Sequence, residues 1–226
     1  MTCSSSQLVL GIILLIAILV IAYIFFQWHP LPKPGPDANL RQLSNAMWKL
    51  ERLWISHIHQ TRALLVESLA ELDHAHVTRD GLLENVAQMG RNIGSVYGPE
   101  AGTKYTELLK NHLTTQLELI TAAKQSKTTL ANQLYEQWKT QGQGIVNYLG
   151  GLIPGLNTTK LQSHWNAYLE STLSEIVHTI RQERLLSATS FKNAEKNILE
   201  FSDELEEAIS KDKKGKDLIG VTFPNH

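Results

Sequence analysis

Pro99–Lys124 reads PEAGTKYTELLKNHLTTQLELITAAK. Ala101, Tyr105, Leu108, His112, Thr115, Leu119 and Ala122 follow one another in alternating steps of four and three. That spacing puts them on one face of an α-helix, with Glu107, Lys110 and Glu118 outside it. Gly98-Pro99 ends whatever precedes this segment, and Pro99 suits the first turn of the new helix. The same seam recurs on both sides. Leu43, Met47, Leu50, Trp54, His57, Thr61, Leu64 and Ser68 define a first helix that starts at Asp37 or Asn39 and frays at 73–76. Leu82, Val86, Met89, Ile93 and Val96 define a second, from Thr78 or Asp80 to Tyr97. Downstream, a fourth helix spans Ser126–Leu149, with Leu130, Leu134, Trp138, Ile145 and Leu149 inward. After the break GGLIPGLN at 150–157, a fifth runs from Thr158 or Thr159 to Leu186 with Leu161, His164, Tyr168, Leu169, Leu173, Ile176 and Ile180 inward. A turn at Ser187–Ser190 leads to a sixth, reaching Lys211, with Phe191, Ala194, Ile198, Phe201, Leu205 and Ile209 inward. No segment alternates as a strand does, and no repeat of 34 residues or similar period stands out. Short connections make sequential helices antiparallel, so the expected fold is all-α, an up-and-down helical bundle over residues 38–210.

The N-terminal part has a different character. Leu8–Phe26, LVLGIILLIAILVIAYIFF, is apolar throughout apart from Gly11, and no charge precedes Lys33. Nineteen helical residues span roughly 28 Å, close to a bilayer core. Insertion of its Leu, Ile, Val and Phe residues is worth roughly −5 to −9 kcal/mol. Tyr23 and Trp28 sit where interfacial rings belong. A cleaved signal peptide would have a basic start and small residues at its end; this one begins MTCSSSQ and ends in FFQWHP. The expected layout is therefore a short tail at 1–7, a transmembrane helix at 8–28, a Pro-rich stalk at 29–37 (HPLPKPGPD), the bundle, and a flexible tail at 211–226 that opens KDKKGK. Alternating prolines bar a helix from the stalk and keep it extended. Lys33, Arg41, Lys49 and Arg52 follow the span and none precedes it, a bias toward a cytoplasmic bundle that is too small to close the other orientation. The sequon at Asn157–Thr159 would matter only on the other side of the membrane.

With 21 Lys+Arg against 22 Asp+Glu the chain is nearly neutral, so nothing electrostatic suggests nucleic acid. The single cysteine, Cys3, excludes an intrachain disulfide and a Cys-based zinc site. Phosphate-loop, GxSxG, HExxH and paired Glu-x-x-His patterns are all missing, and with them any catalytic motif. What stands out is histidine. His57 and His112 fall on strict seams, and His164 lies on the inward stripe of the fifth helix. A buried neutral imidazole needs both a donor and an acceptor partner. One such residue usually bonds to a nearby carbonyl; three from three helices suggest a shared polar site. Glu195, one turn beyond Phe191, is a candidate fourth partner. Three imidazoles and a carboxylate would suit Zn, Fe, Mn or Ni. Thr61 could support His57 from one turn away. His57/His59 and His74/His76 are spaced i, i+2, and so point to different faces and chelate nothing.

The stretches HIHQTR (57–62), LLENVAQMGRNIGSVYG (82–98), AGTKYTELLKNHL (101–113) and ILEFSDEL (198–205) together resemble a family of uncharacterised bacterial all-helical proteins with H-x3-TR, LL-x-N…YG and LLK-x-H motifs. His57, Thr61, Asn85, Tyr97, Gly98, His112 and His164 carry the match. Gly81 stands where Arg is usual, Gln88 where Asp is common, and Glu195 and Asn197 near positions that hold histidine in relatives. The resemblance implies a helical bundle whose inward histidines act together, and implies no activity. The expected function is that of a single-pass membrane-anchored interaction or structural module with a protein partner and no enzymatic role. The alternative is a metal- or small-ligand-binding bundle, sensor or oxidoreductase, that uses the inward histidines. A chemoreceptor-type sensor domain ranks third, because it would want a second span.

Overall fold

A computed structural model describes the backbone of residues 36–219 and the side chains of residues 49–212. The chain divides into two units, residues 1–39 and residues 40–226. The apolar run, most of the stalk, and the side chains of Leu43 and Met47 lie outside the described residues. Among those described, no helix is long and apolar enough to cross a membrane.

Six helices make up the described chain, with no strand: α1 Pro36–Leu69, α2 Ala75–Tyr97, α3 Pro99–Lys124, α4 Thr128–Leu152, α5 Thr158–Ile180 and α6 Arg184–Ile219. Pro99 opens α3 as expected, and the Asn157 side chain caps α5 by accepting from the Lys160 N–H. The last helix continues past Lys211 to Ile219. The α5–α6 break differs from the sequence reading. It lies at residues 181–183, not at Ser187–Ser190, and Gln182 takes a left-handed φ of 60° there. No Gly or Pro marks that turn, and Leu185-Leu186 mimics a continuing inward stripe while both residues are in fact exposed.

Side-chain pairings fix the topology. Between α5 and α6, Lys160 meets Glu204, His164 meets Glu200 and Thr179 meets Ser187, so one partner climbs as the other descends. His57–Asn85 and Gly81–Gln60 show the same antiparallel relation for α1 and α2. Tyr148–Ala101 and His112–Trp138 show it for α3 and α4. Pairs two or four elements apart run parallel instead: Trp54 against Trp165, Arg62 on Glu175, Lys124 on Ser68. Hence α1, α3 and α5 form an inner triangle of parallel helices, flanked by α2, α4 and α6.

This arrangement is three helical hairpins, α1–α2, α3–α4 and α5–α6, in pseudo-threefold order. Leu65, Ile120 and Ile176, spaced 55 and 56 residues apart, meet in one small cluster. The same offsets relate Leu50, Tyr105 and Leu161; His57, His112 and Tyr168; and Thr61, Gln116 and Thr172, every one of them buried. The hairpin turns repeat as well. Among the described residues, Glu71, Ser126 and Gln182 are the three non-glycine residues with positive φ, at 55°, 56° and 60°. Each turn closes with a six-to-one backbone bond: Leu72 N–H to Glu67 O, Lys127 N–H to Ala122 O, Glu183 N–H to His178 O. The repeat escapes a sequence search because burial recurs in all three hairpins while at none of these positions do all three carry the same residue.

At the other end, Gly98 alone joins α2 to α3, at φ 100°. So tight a turn brings the two backbones together, and small residues permit it. A Cβ on Gly102 would lie 2.4 Å from the Gly90 carbonyl oxygen and 2.9 Å from Gly94 Cα. Gly142 on α4 leaves room for an indole in the same way: a Cβ there would sit 2.1 Å from Trp165 Nε1.

Candidate polar site in the bundle core

The middle of the inner triangle is aromatic and polar together. Trp54 and Trp165 meet edge-on at 5.9 Å, and Phe201 of α6 closes on Trp165 at 4.9 Å. Above them lies the layer of His57, His112 and Tyr168.

His57 is held by Asn85. The Asn85 amide nitrogen donates to the Leu53 carbonyl at 3.0 Å, which leaves its oxygen to accept from His57 Nδ1–H at 3.2 Å. This fixes the tautomer, and His57 Nε2 keeps its lone pair. Burial lowers the His57 pKa to about 4, against a smaller opposing effect of Asn85, so the ring is neutral at physiological pH. Thr61 serves its own helix, donating to the His57 carbonyl at 2.8 Å.

His112 stacks on Trp138 at 5.0 Å and tilts against Trp165 at 5.3 Å. Neither of its ring nitrogens has a hydrogen-bond partner. Burial, reinforced by the nearby His57, lowers its pKa to about 3; a backbone group of Trp138 opposes this from outside hydrogen-bonding geometry. One turn on, both polar atoms of the buried Gln116 amide are unpartnered, as are the Tyr105 hydroxyl and the indole nitrogens of Trp54, Trp138 and Trp165. Folded proteins rarely leave such groups without a protein or water partner, because each costs about 1–3 kcal/mol.

The four residues expected to share a metal do not come together. His57 and His112 are neighbours. His164 turns to the α5–α6 flank, with Nδ1 3.2 Å from Glu200 Oε2. Glu195 faces His59, whose Nε2 lies 3.0 Å from its Oε1. Helix phase placed the first two correctly, but on α5 the inward residues are Trp165 and Tyr168, and His164 sits to one side of them. Among the described residues no three His, Cys, Asp or Glu side chains gather as a metal site requires.

Glu175 is a buried polar residue that sequence reasoning missed. It pairs with Arg62 at 2.5 Å, yet burial outweighs the guanidinium and raises its carboxyl to about 7. Arg62 also lies over the Phe191 ring at 4.6 Å, and His59 meets that ring edge-on. The signal was present: Leu161, Trp165, Tyr168, Thr172 and Glu175 keep the same four-three steps that marked α3.

Two surface grooves lie elsewhere. One, of 720 Å³, follows the small residues Gly90, Gly94 and Gly102. The other, of 540 Å³, is lined by Leu83, Leu113, Leu117, Leu130 and Leu134 between Arg79 and Lys127. His57, His112 and Gln116 line neither.

No protein-family model matches the chain, and comparisons with curated proteins and with solved structures likewise return no match. The helical fold that the family resemblance implied is the fold observed; membership of that family gains no support from these comparisons.

Proposed function

We propose that the chain is a single-pass membrane-anchored helical bundle that serves as an interaction or structural module. The observation that carries this reading is the uncharged Leu8–Phe26 run ahead of a proline stalk and an amphipathic helical unit. The polar side chains of the unit fit that role: Arg62–Glu175, His59–Glu195 and Lys124 on Ser68 all tie one helix to another. Alkaline carbonate extraction of membranes tests the anchor. The full chain should stay in the pellet, and its release into the supernatant would remove the reading.

A second reading, a small-ligand or metal-binding bundle, draws on the unpartnered His112 and Gln116 in the core. The lone pairs of two neutral imidazoles could accept hydrogen bonds or coordinate an imidazole-preferring metal. Under this reading, addition of Zn²⁺ or Ni²⁺ raises the melting temperature of the chain, and His112→Phe abolishes the rise.

A further inference from the structure

The large exposed hydrophobic residues are not scattered. Val66, Leu72, Val77, Leu130, Leu185 and Leu186 are those of the described chain, and all six lie at one end. It is the end where α1, α3 and α5 finish and α2, α4 and α6 begin. Three of the six occupy one equivalent position. Val77, Leu130 and Leu186 are each the third residue of the outer helix of a hairpin, exposed by 60%, 43% and 49%. Leu185 beside them is 80% exposed. The three turns are tied to one another: Lys124 bonds Ser68 O and Glu71, and Leu65, Ile120 and Ile176 pack beneath. They therefore present one face with a pseudo-threefold set of aliphatic side chains. Single exposed leucines need no explanation, but a clustered set marks a contact surface.

We propose that this turn face docks a second copy of the chain, face to face. Charge, area and symmetry select that occupant. Residues 66–80, 121–131 and 177–187 carry five Asp or Glu and five Lys or Arg. Such a face gains nothing from an anionic bilayer or a nucleic acid, and does not repel its own kind. Six helix ends, each ~10–12 Å across, make a face of roughly 500–700 Å², close to the ~800 Å² each partner contributes to a standard interface. Symmetry then favours pairing. When two threefold faces meet about a dyad perpendicular to their axes, every hairpin of one copy opposes a hairpin of the other, so all three aliphatic positions are covered together. The inference gives the interaction reading its partner and rests on it for that role; the oligomeric state and carbonate extraction are read separately, so either can fail alone.

The test uses the full chain in detergent. Sedimentation equilibrium should show a dimer, and the triple variant Val77→Glu, Leu130→Glu, Leu186→Glu should weaken it about a hundredfold, some 2.7 kcal/mol. Because these residues are exposed, an unchanged circular dichroism melt checks that the fold is intact. In a Cys3→Ser background, Leu185→Cys should cross-link chain to chain on mild oxidation. Thr103→Cys, at the opposite end, should not. A wild-type chain that is monomeric at ~100 μM would overturn the proposal, as would a dimer that survives the triple substitution or a cross-link formed through Thr103→Cys. Protection of Leu185→Cys from a thiol reagent by phosphatidylcholine vesicles, without a chain-to-chain cross-link, would overturn it in favour of lipid.

Discussion

Glu175 shows how much a single residue depends on its surroundings. Its carboxyl is almost fully enclosed, and titrates near 7 although Arg62 lies 2.5 Å away. In the unfolded chain it would titrate near its ordinary value of 4.5. As pH rises from about 4.5 to 7, the unfolded chain gives up this proton while the folded chain keeps it. Stability from Glu175 is therefore full below the lower value and is lost as pH climbs, by ~1.4 kcal/mol for each unit of the gap. His57 acts in the opposite sense over a partly shared window. Its folded pKa of about 4 lies below the ordinary 6.5, so its contribution is complete above 6.5 and falls away toward 4. The two slopes mask each other in the wild type. Glu175→Gln should unmask the histidine: relative to wild type, its melting temperature should rise more at pH 7.5 than at pH 4.5. A constant difference across that range would mean that Glu175 ionises normally. At this scale, sequence reasoning found His57 and His112 because a polar residue on an apolar seam is conspicuous. It missed Asn85 as the partner of His57, since partner choice depends on vertical registry between helices, which periodicity does not encode.

Among the elements, the helices were legible from their seams and two of the turns from glycine and proline. Errors of one residue have a physical origin. A strict four-three pattern has a period of 3.5, while an α-helix turns every 3.6, so the true face drifts by about 20° per heptad. This is why Leu108 was read as inward, while the structure buries Leu109 and leaves Leu108 partly covered. The α5–α6 turn was misplaced because its left-handed residue is Gln182, which signals nothing. The three hairpin turns make this general, with Glu71, Ser126 and Gln182 where glycine would be easiest. A left-handed L-residue costs of order 1 kcal/mol. Replacing each by glycine should accordingly stabilise the bundle by ~0.5–1 kcal/mol per site, the gain being reduced by the greater freedom of unfolded glycine. Glu71 also gives up its bond to Lys124, so its gain should be the smallest of the three. Chemical denaturation of the triple variant should show a higher midpoint with an unchanged slope; no shift would mean that the three side chains earn their places through contacts made only in the folded chain.

For the whole molecule, the inner triangle binds the hairpins into one core. Trp54 needs Trp165 and Phe201, and Arg62 needs Glu175, so the first hairpin is completed only by the third. A chain ending at residue 157 should lose cooperative melting and bind a hydrophobic dye, since Trp54 and His112 would both be uncovered. A sharp melt of that fragment would show the first two hairpins to be a sufficient fold. The threefold order was invisible in the sequence, because at equivalent positions such as Trp54, Leu109 and Trp165 at least one of the three hairpins carries a different residue.

That repeated offset bears on the order in which the chain assembles. Contacts inside a hairpin link residues that are near in sequence, whereas those of the inner triangle join residues 53 or more apart. Each hairpin can therefore zip up early at little loop-closure cost, and the docking of three such units is the slow event. Nascent hairpins have the same turn geometry and similar apolar faces, so one from a neighbouring chain could take the place of its own. The route to the native bundle is thus also a route to exchanged hairpins between chains, and dilute conditions during refolding should favour bundles built from one chain's own hairpins over swapped ones.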